Sequence, residues 1–370
     1  MNGSLLFVGH TGQRSGAEKV MLALVDVALA QGLRVCVACP DGPLADALPA
    51  GCAHVRMPRL GMWGQTGLGR LAGLVSLPFR WLAGGVRIRR ELARRPARVV
   101  CNSLFALPSV RLAVAGAPRC DRVSWLVHDT LSSRKQRLVA WLGRAAVMEA
   151  VAVSGATAVP VRECGYSVVV APNGVPIPAA PPAEVRRAVP LPRVGILASV
   201  TEWKGHRVLL EAVAEIPDLH LDVAGVPFPG DEPFLDELKR RADRPDLRGR
   251  VSFLGSVDPA DVFAVWDVMV SASTSPEAGP LGVLEAMAHG VPVVGTDHGG
   301  TAEYLAGGAG VLVPPGDAKA LVEALRRILA EPALREGTVA SARRRVEEHH
   351  DIGVTLPAMA RALGMSETPL

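Results

Sequence analysis

Two glutamates, Glu277 and Glu285, stand eight residues apart in the segment STSPEAGPLGVLEAMAHGVPVVGTDHGGTAEYL, Ser273 to Leu305. The apolar run VMVSAS before it reads as a strand, so Glu277 falls in the loop that follows and Glu285 in the next helix. Between them Ala278, Gly279, Pro280, Leu281 and Gly282 make the loop and the helix start. Backbone N–H groups at a helix start point outward with the positive end of the dipole, which suits a diphosphate. Gly279 and Gly282 permit close approach, and the flanking carboxylates can accept hydrogen bonds from sugar and ribose hydroxyls. These residues alone leave a plainer reading open, with Glu277 as a helix-N-terminal carboxylate and Glu285 as a solvated one.

His128 ends the strand-like run WLVHD. At a strand's carboxyl end it can hydrogen-bond a hydroxyl or move a proton near neutral pH, or simply be satisfied by Asp129 or backbone. The basic residues are lopsided: five lysines against 35 arginines, among abundant Ala, Gly and Pro. A codon-composition bias makes any one arginine uninformative, and a loop lysine such as Lys204 stands out. Cys36 and Cys39 have CxxC spacing inside the strand RVCVACP, where alternation points them to opposite faces, with no second pair and no histidine nearby in sequence. Asp-x-Asp pairs after a strand are absent, so no metal site is expected.

The elements that must position these residues alternate strand and helix, the pattern of parallel sheets covered on both faces. SLLFVG opens the chain, a loop HTGQRSG follows, and AEKVMLALVDVALAQG has helical spacing. Further strands read at Arg34–Pro40, Ala97–Cys101, Ser124–Val127, Val151–Val153 and Val168–Val175. IPAAPPAEVRRAVPLP, Ile177 to Pro192, holds five prolines and reads as an exposed connector. The alternation then restarts at RVGILAS. The reading is a first domain over 1–177, a linker over 178–192, a second domain over 193–348, and a terminal segment 349–370 whose helix has no strand to accompany and is expected to pack back on the first domain. Two doubly wound α/β domains would face a crevice between their strands' carboxyl ends.

Composition agrees with this class. The chain has 370 residues, 49% apolar and 21% charged, with a net charge of +4. That is globular, and too weakly basic to imply a nucleic-acid partner, while 4% aromatic residues argue against base stacking. The scattered cysteines fit a reducing cytoplasm. Ser4–Val8 is too short for a signal-peptide core, and Pro78 and Arg80 interrupt the longest apolar stretch. Residues 63–95 mix arginines with Trp63, Leu68, Leu71, Leu74, Leu77, Phe79 and Trp81. An ordinary packed helix is the favoured reading there, and peripheral contact with the inner membrane face is the other.

The Ser273–Leu305 segment resembles the signature of glycosyltransferase family 4, whose enzymes have the GT-B fold. Glu277, Glu285, Ala286-Met287-Ala288, Gly290-Val291-Pro292-Val293-Val294, Gly299-Gly300 and Glu303 match it in order. Arg14–Val20 resembles the family's N-terminal Gly-Gly-Ala-Glu loop. Ser154 with Ala171–Val175 resembles its pre-linker strand, and Ser199–His206 its Gly-Arg-Leu…Lys-Gly motif. Val251–Gly255 and Val311–Pro315 also fit.

The resemblance implies a retaining, metal-independent hexosyltransferase without cofactor. It would move a sugar from a nucleotide diphosphate, UDP before GDP, to a hydroxyl of a small aglycone or a lipid-linked glycan. Lys204 would neutralise the leaving diphosphate, Glu277 hold the donor sugar and Glu285 the ribose. Ala278, Gly279, Pro280 and Leu281 would bind phosphate or sugar through backbone, Gly16 would approach the diphosphate, and His128 would stand beside the donor sugar. Two positions depart from the family: Ser199 replaces its phosphate-binding arginine, and Ser15 its first loop glycine. Arg207 or His206 is the expected substitute for the missing guanidinium. The alternatives are a nucleotide-sugar epimerase of the same fold and a non-catalytic scaffold.

Overall fold

The computed structural model describes residues 3–61, 67–95, 97–116, 122–179 and 191–365. Most of the proline-rich linker, 180–190, and Cys120 lie outside the described residues, as do the side chains of Trp63, Leu68 and Leu71. The chain divides into two compact units, one of residues 1–173 with 355–370, the other of residues 174–354.

The first unit is built on seven parallel strands: β1 (Ser4–Val8), β2 (Arg34–Cys39), β3 (Ala53–Arg56), β4 (Arg98–Cys101), β5 (Val123–Val127), β6 (Glu149–Ala152) and β7 (Val168–Val170). Their order is β3-β2-β1-β4-β5-β6-β7, so the winding reverses between β1 and β4. β5 is buried at every position, which is why its sequence is a continuous apolar run without alternation. Trp125 is fully buried at its centre, with its ring 5.2 Å from Tyr166, whose hydroxyl donates to Ala140 O at 2.5 Å. The chain's last described residues belong to this unit: Arg98 donates to Gly364 O, Ser124 Oγ to Leu363 O at 3.4 Å, and Leu363 and Met365 are buried.

The second unit repeats the scheme with β8 (Arg193–Leu197), β9 (His220–Ala224), β10 (Val251–Gly255), β11 (Val268–Ser271), β12 (Val293–Thr296) and β13 (Val311–Val313), in the order β10-β9-β8-β11-β12-β13. Its centre is Trp266, which donates to Asp222 Oδ2 at 2.9 Å. Gly195 of β8 lies under that indole: a Cβ there would sit 2.0 Å from Trp266 Cε2. Truncating either buried indole to alanine costs about 3–5 kcal/mol. Residues 174–177 also join this unit, because Val175 N donates to His350 O at 2.9 Å and Ile352 N to Val175 O at 3.1 Å.

Two elements differ from the sequence reading. β3 carries no apolar alternation that marks it. It brings His54 beside Cys39, with Nε2 3.6 Å from Sγ, so a histidine distant in sequence does reach the CxxC strand. Among the described residues no group of three or more His, Cys, Asp or Glu is placed to hold a metal ion. The helix Pro332–His349 also escapes sequence reading. It buries only Thr338, Ala342 and Val346, one residue per turn, with arginines and glutamates elsewhere.

Candidate functional site

In the second unit the reversal between β8 and β11 places two loops together. The first runs from Leu197 through a single 3-10 turn, Glu202–Lys204, into the helix His206–Ala214. Gly205 joins turn and helix at φ 77°, and a Cβ there would lie 1.8 Å from Ala272 O. Only glycine fits both the left-handed backbone and that contact. Thr274 N also donates to Trp203 O at 2.8 Å, pinning the Lys204 turn to the end of β11.

Lys204 therefore points at the loop after β11. Its Nζ donates to one carboxylate oxygen of Glu277, and Ser273 Oγ donates to the other. All three side chains are enclosed: Ser273 is 1% exposed, Glu277 6%, and the Lys204 side chain 15%. The ammonium also lies 4.3 Å from the Trp203 ring centroid. A carboxylate this buried requires its cation, and Lys204 supplies it.

Backbone contacts with the loop after β12 fix Glu277. Gly299 has φ 59°, and a Cβ on it would stand 2.5 Å from Glu277 O; Gly300 N donates to Glu277 O at 2.7 Å. His298 bonds Ser273 O through Nε2 at 2.9 Å. After Pro280 the helix Leu281–Ala288 begins, and its first amides, Leu281 and Gly282, have no intrahelical acceptor. Gly282 packs toward Leu197 O at the end of β8. Glu285, one turn beyond Leu281, is half-buried on the side of the helix that Leu281 and Gly282 share. Lys204, Glu277, residues 278–282 and Glu285 thus gather at one end of one sheet, and Ser199 lies half-buried in the loop after β8.

Arg207 and His206, the expected substitutes for the missing arginine, face other neighbours. Arg207 is bidentate on Glu237 at 2.6 and 2.8 Å, bonds Glu202 at 3.2 Å and stacks on Phe234. Its guanidinium is already committed. Burial pushes His206 down to about 4, so it carries no charge at neutral pH.

Gly16 and His128 belong to the first unit. Gly16 is the first residue of the helix Gly16–Ala30, and its cap explains Ser15: Ser15 N donates to the Glu18 carboxylate at 3.1 Å with φ −114°, where no glycine is needed. His128 follows β5 directly, and burial pushes its pKa down to about 4. Its Nε2 is enclosed without a hydrogen-bond partner among the described residues. Asp129 does not pair with it; Asp129 Oδ2 accepts from Leu104 N at 3.1 Å. Sequence reading missed Asn102, which follows β4 directly and donates its backbone N–H to Val8 O at the end of β1. It is 2% exposed, with Nδ2 donating to Ala17 O at 3.4 Å.

The model of the glycosyltransferase family 4 domain matches residues 14–177, and that of the glycosyl transferases group 1 domain matches residues 185–345. The chain belongs to the family 4, group 1 glycosyltransferases. Among its relatives, the lipopolysaccharide core biosynthesis glycosyltransferase LpsE of Rhizobium meliloti is 35% identical over 146 residues, covering 39% of this chain and 41% of the relative. The phosphatidyl-myo-inositol mannosyltransferase of Mycobacterium leprae is 36% identical over 146 residues, 37% of each chain. The chain thus spans about two-fifths of the length of the curated relatives it matches. Anabaena HepE in complex with UDP-glucose superposes with a TM-score of 0.81 at 22% identity, over 98% of this chain and 100% of that one. WaaG, a glycosyltransferase involved in lipopolysaccharide biosynthesis, superposes with a TM-score of 0.71 at 18% identity, over 97% and 100%. The chain therefore has the GT-B fold.

Proposed function

We propose that the protein transfers a sugar from a nucleotide-diphosphate sugar, with UDP preferred to GDP, to a hydroxyl acceptor with retention of configuration and without a metal ion. The observation that carries this reading is the enclosed Lys204–Glu277–Ser273 cluster directly before the open amides of Leu281 and Gly282. Without donor, Lys204 is held by Glu277. A diphosphate arriving at the helix start offers the ammonium a second anion and the amides an acceptor, so charge building on the leaving group is met by groups already in place. The same arrival leaves Glu277 an oxygen for a donor-sugar hydroxyl, and Glu285 serves the ribose from the next turn. The UDP preference draws support from the HepE complexes, which hold UDP and UDP-glucose.

Retention is what the family resemblance implies, and the state of Glu277 speaks against a covalent intermediate on the way to it. Both its oxygens are engaged, one by a cation and one by a hydroxyl, which makes it a poor covalent nucleophile and a good orienting acceptor. The leaving phosphate then takes the acceptor's proton on the same face. Gly16 and the neutral His128 keep the roles that the family resemblance gives them. The acceptor is a small aglycone or a lipid-linked glycan.

The test is product analysis with UDP- and GDP-sugars, with and without hydroxyl acceptors, in the presence of chelator. Transfer from a UDP-sugar, with the product's anomeric coupling matching the donor's, is the expected result. Epimerised donor without acceptor would identify an epimerase instead. Failure to bind or turn over any donor would leave a scaffold.

A further inference from the structure

Lys204 is the one lysine that the fold keeps from water. Lys19, Lys135, Lys239 and Lys319 are exposed, whereas the Lys204 side chain is 15% exposed. A lysine carries a compact charge on a flexible four-carbon stem, so holding one in a single place takes contacts beyond one carboxylate. Glu277 supplies the carboxylate. The second contact comes from the residue just before the lysine.

Trp203 does not serve the core as Trp125 and Trp266 do, because it is 39% exposed. Its ring lies under the ammonium, with Nζ 4.3 Å from the centroid, well inside the range of a cation–π contact. Backbone bonds set its place. Trp203 O accepts from Thr274 N at 2.8 Å and from Thr274 Oγ1 at 3.3 Å, and Lys204 N donates to Thr201 O at 3.1 Å to close the turn. The loop that carries the indole is thus tied to the loop that carries Glu277. Folded over its neighbour's ring, the lysine stem cannot extend into solvent.

We propose that Trp203 is a positioning residue whose ring face holds the Lys204 ammonium against Glu277, so that the lysine meets a leaving diphosphate from a fixed place. The inference rests on Lys204 being the cation that meets the diphosphate. The ring acts in two ways. It removes conformations that the long stem would otherwise sample, and its negative face attracts the charge where a plain apolar side chain would only exclude water. Charge on the leaving group grows as the bond to the sugar breaks. A misplaced ammonium therefore costs more in the transition state than in the bound donor.

Two substitutions separate the ring from its bulk: Trp203→Phe keeps an aromatic face, and Trp203→Leu keeps apolar volume without one. Trp203→Phe is expected to stay within about twofold of the parent in UDP affinity and in kcat/KM. Trp203→Leu is expected to lose about threefold in UDP affinity and about tenfold in kcat/KM. Isothermal titration with UDP and steady-state kinetics on the UDP-sugar that product analysis identifies read this split. Indole fluorescence adds a signature: UDP is expected to change the emission of the parent, and the change to be lost in Trp203→Phe, which still binds. Equal behaviour of Trp203→Leu and Trp203→Phe, or an emission change of the same size without Trp203, overturns the proposal and leaves the donor site standing. If the unmodified chain binds no UDP, the reading of Lys204 falls and this inference falls with it. Circular dichroism reports whether Trp203→Leu folds; if it does not, the titration and emission of Trp203→Phe decide.

Discussion

The two units share one architecture and treat charge in opposite ways. At the strand ends of the second, an ammonium and a carboxylate are enclosed together and satisfy each other. At the strand ends of the first, His10 and His128 are desolvated until both are neutral, each pushed down to about 4. The outer surfaces differ too, with a net +12 over residues 1–173 and −8 over residues 174–354. A doubly wound sheet prescribes where its strands end and leaves open what stands there. A site that meets a diphosphate needs a ready cation, whereas neutral strand-end groups suit a ligand offering hydroxyls.

The strongest way to break this contrast is to remove the cation. Lys204→Ala leaves Glu277 buried without its partner and the diphosphate without its counter-charge, and transfer is expected to fall by about 10²–10³-fold. Steady-state kinetics on a UDP-sugar checks it, and activity within threefold of the parent would remove Lys204 from the reaction.

Next in size is the turn that aims the lysine. Gly205→Ala puts a Cβ against Ala272 O at positive φ and is expected to lower unfolding free energy by roughly 2–3 kcal/mol. Urea titration measures this; a loss of a few tenths would show that the turn is not constrained.

The buried histidine of the first unit gives a pH signature. Its folded pKa of about 4 lies below the unfolded value, so the unfolded chain binds more protons between those two values. Stability is full above about pH 6.5 and is lost as pH falls toward 4, by up to ~1.4 kcal/mol per pH unit for each such histidine. His128→Gln should flatten the slope by about that amount. An unchanged slope in urea titrations between these limits would mean that His128 is solvated.

The smallest effects concern the departed arginine. Arg207→Ala is expected to leave UDP affinity within about twofold, because Glu237 and Glu202 already hold that guanidinium. Ser199→Arg is expected to strengthen it several-fold by restoring a bidentate donor. Isothermal titration with UDP reads both, and a large loss in Arg207→Ala would return that residue to the site.

Much of this was legible in the chain. Apolar runs such as SLLFV and RVGIL, separated by amphipathic helices, identify parallel sheets because strands buried on both faces cannot alternate. Glu277, Glu285 and Lys204 are found by spacing and by rarity. The helix Pro332–His349 was invisible because one buried residue per turn is too sparse a stripe, and Asn102 because a single amide after a strand carries no pattern.

The residue string by itself determined the element types, the two-fold repeat of the scheme and the identities of the charged groups, since periodicity and spacing are local properties of a chain. Tertiary structure alone decided that Lys204 meets Glu277 across 73 positions, that Gly205 must yield to Ala272 O, and that Arg207 is spent on Glu237. It also decided that Phe79, on the helix Gly67–Arg94, faces outward. Those outcomes depend on which strand ends and helix faces become neighbours, and proximity in space is set by burial over the whole sheet rather than by order along the chain.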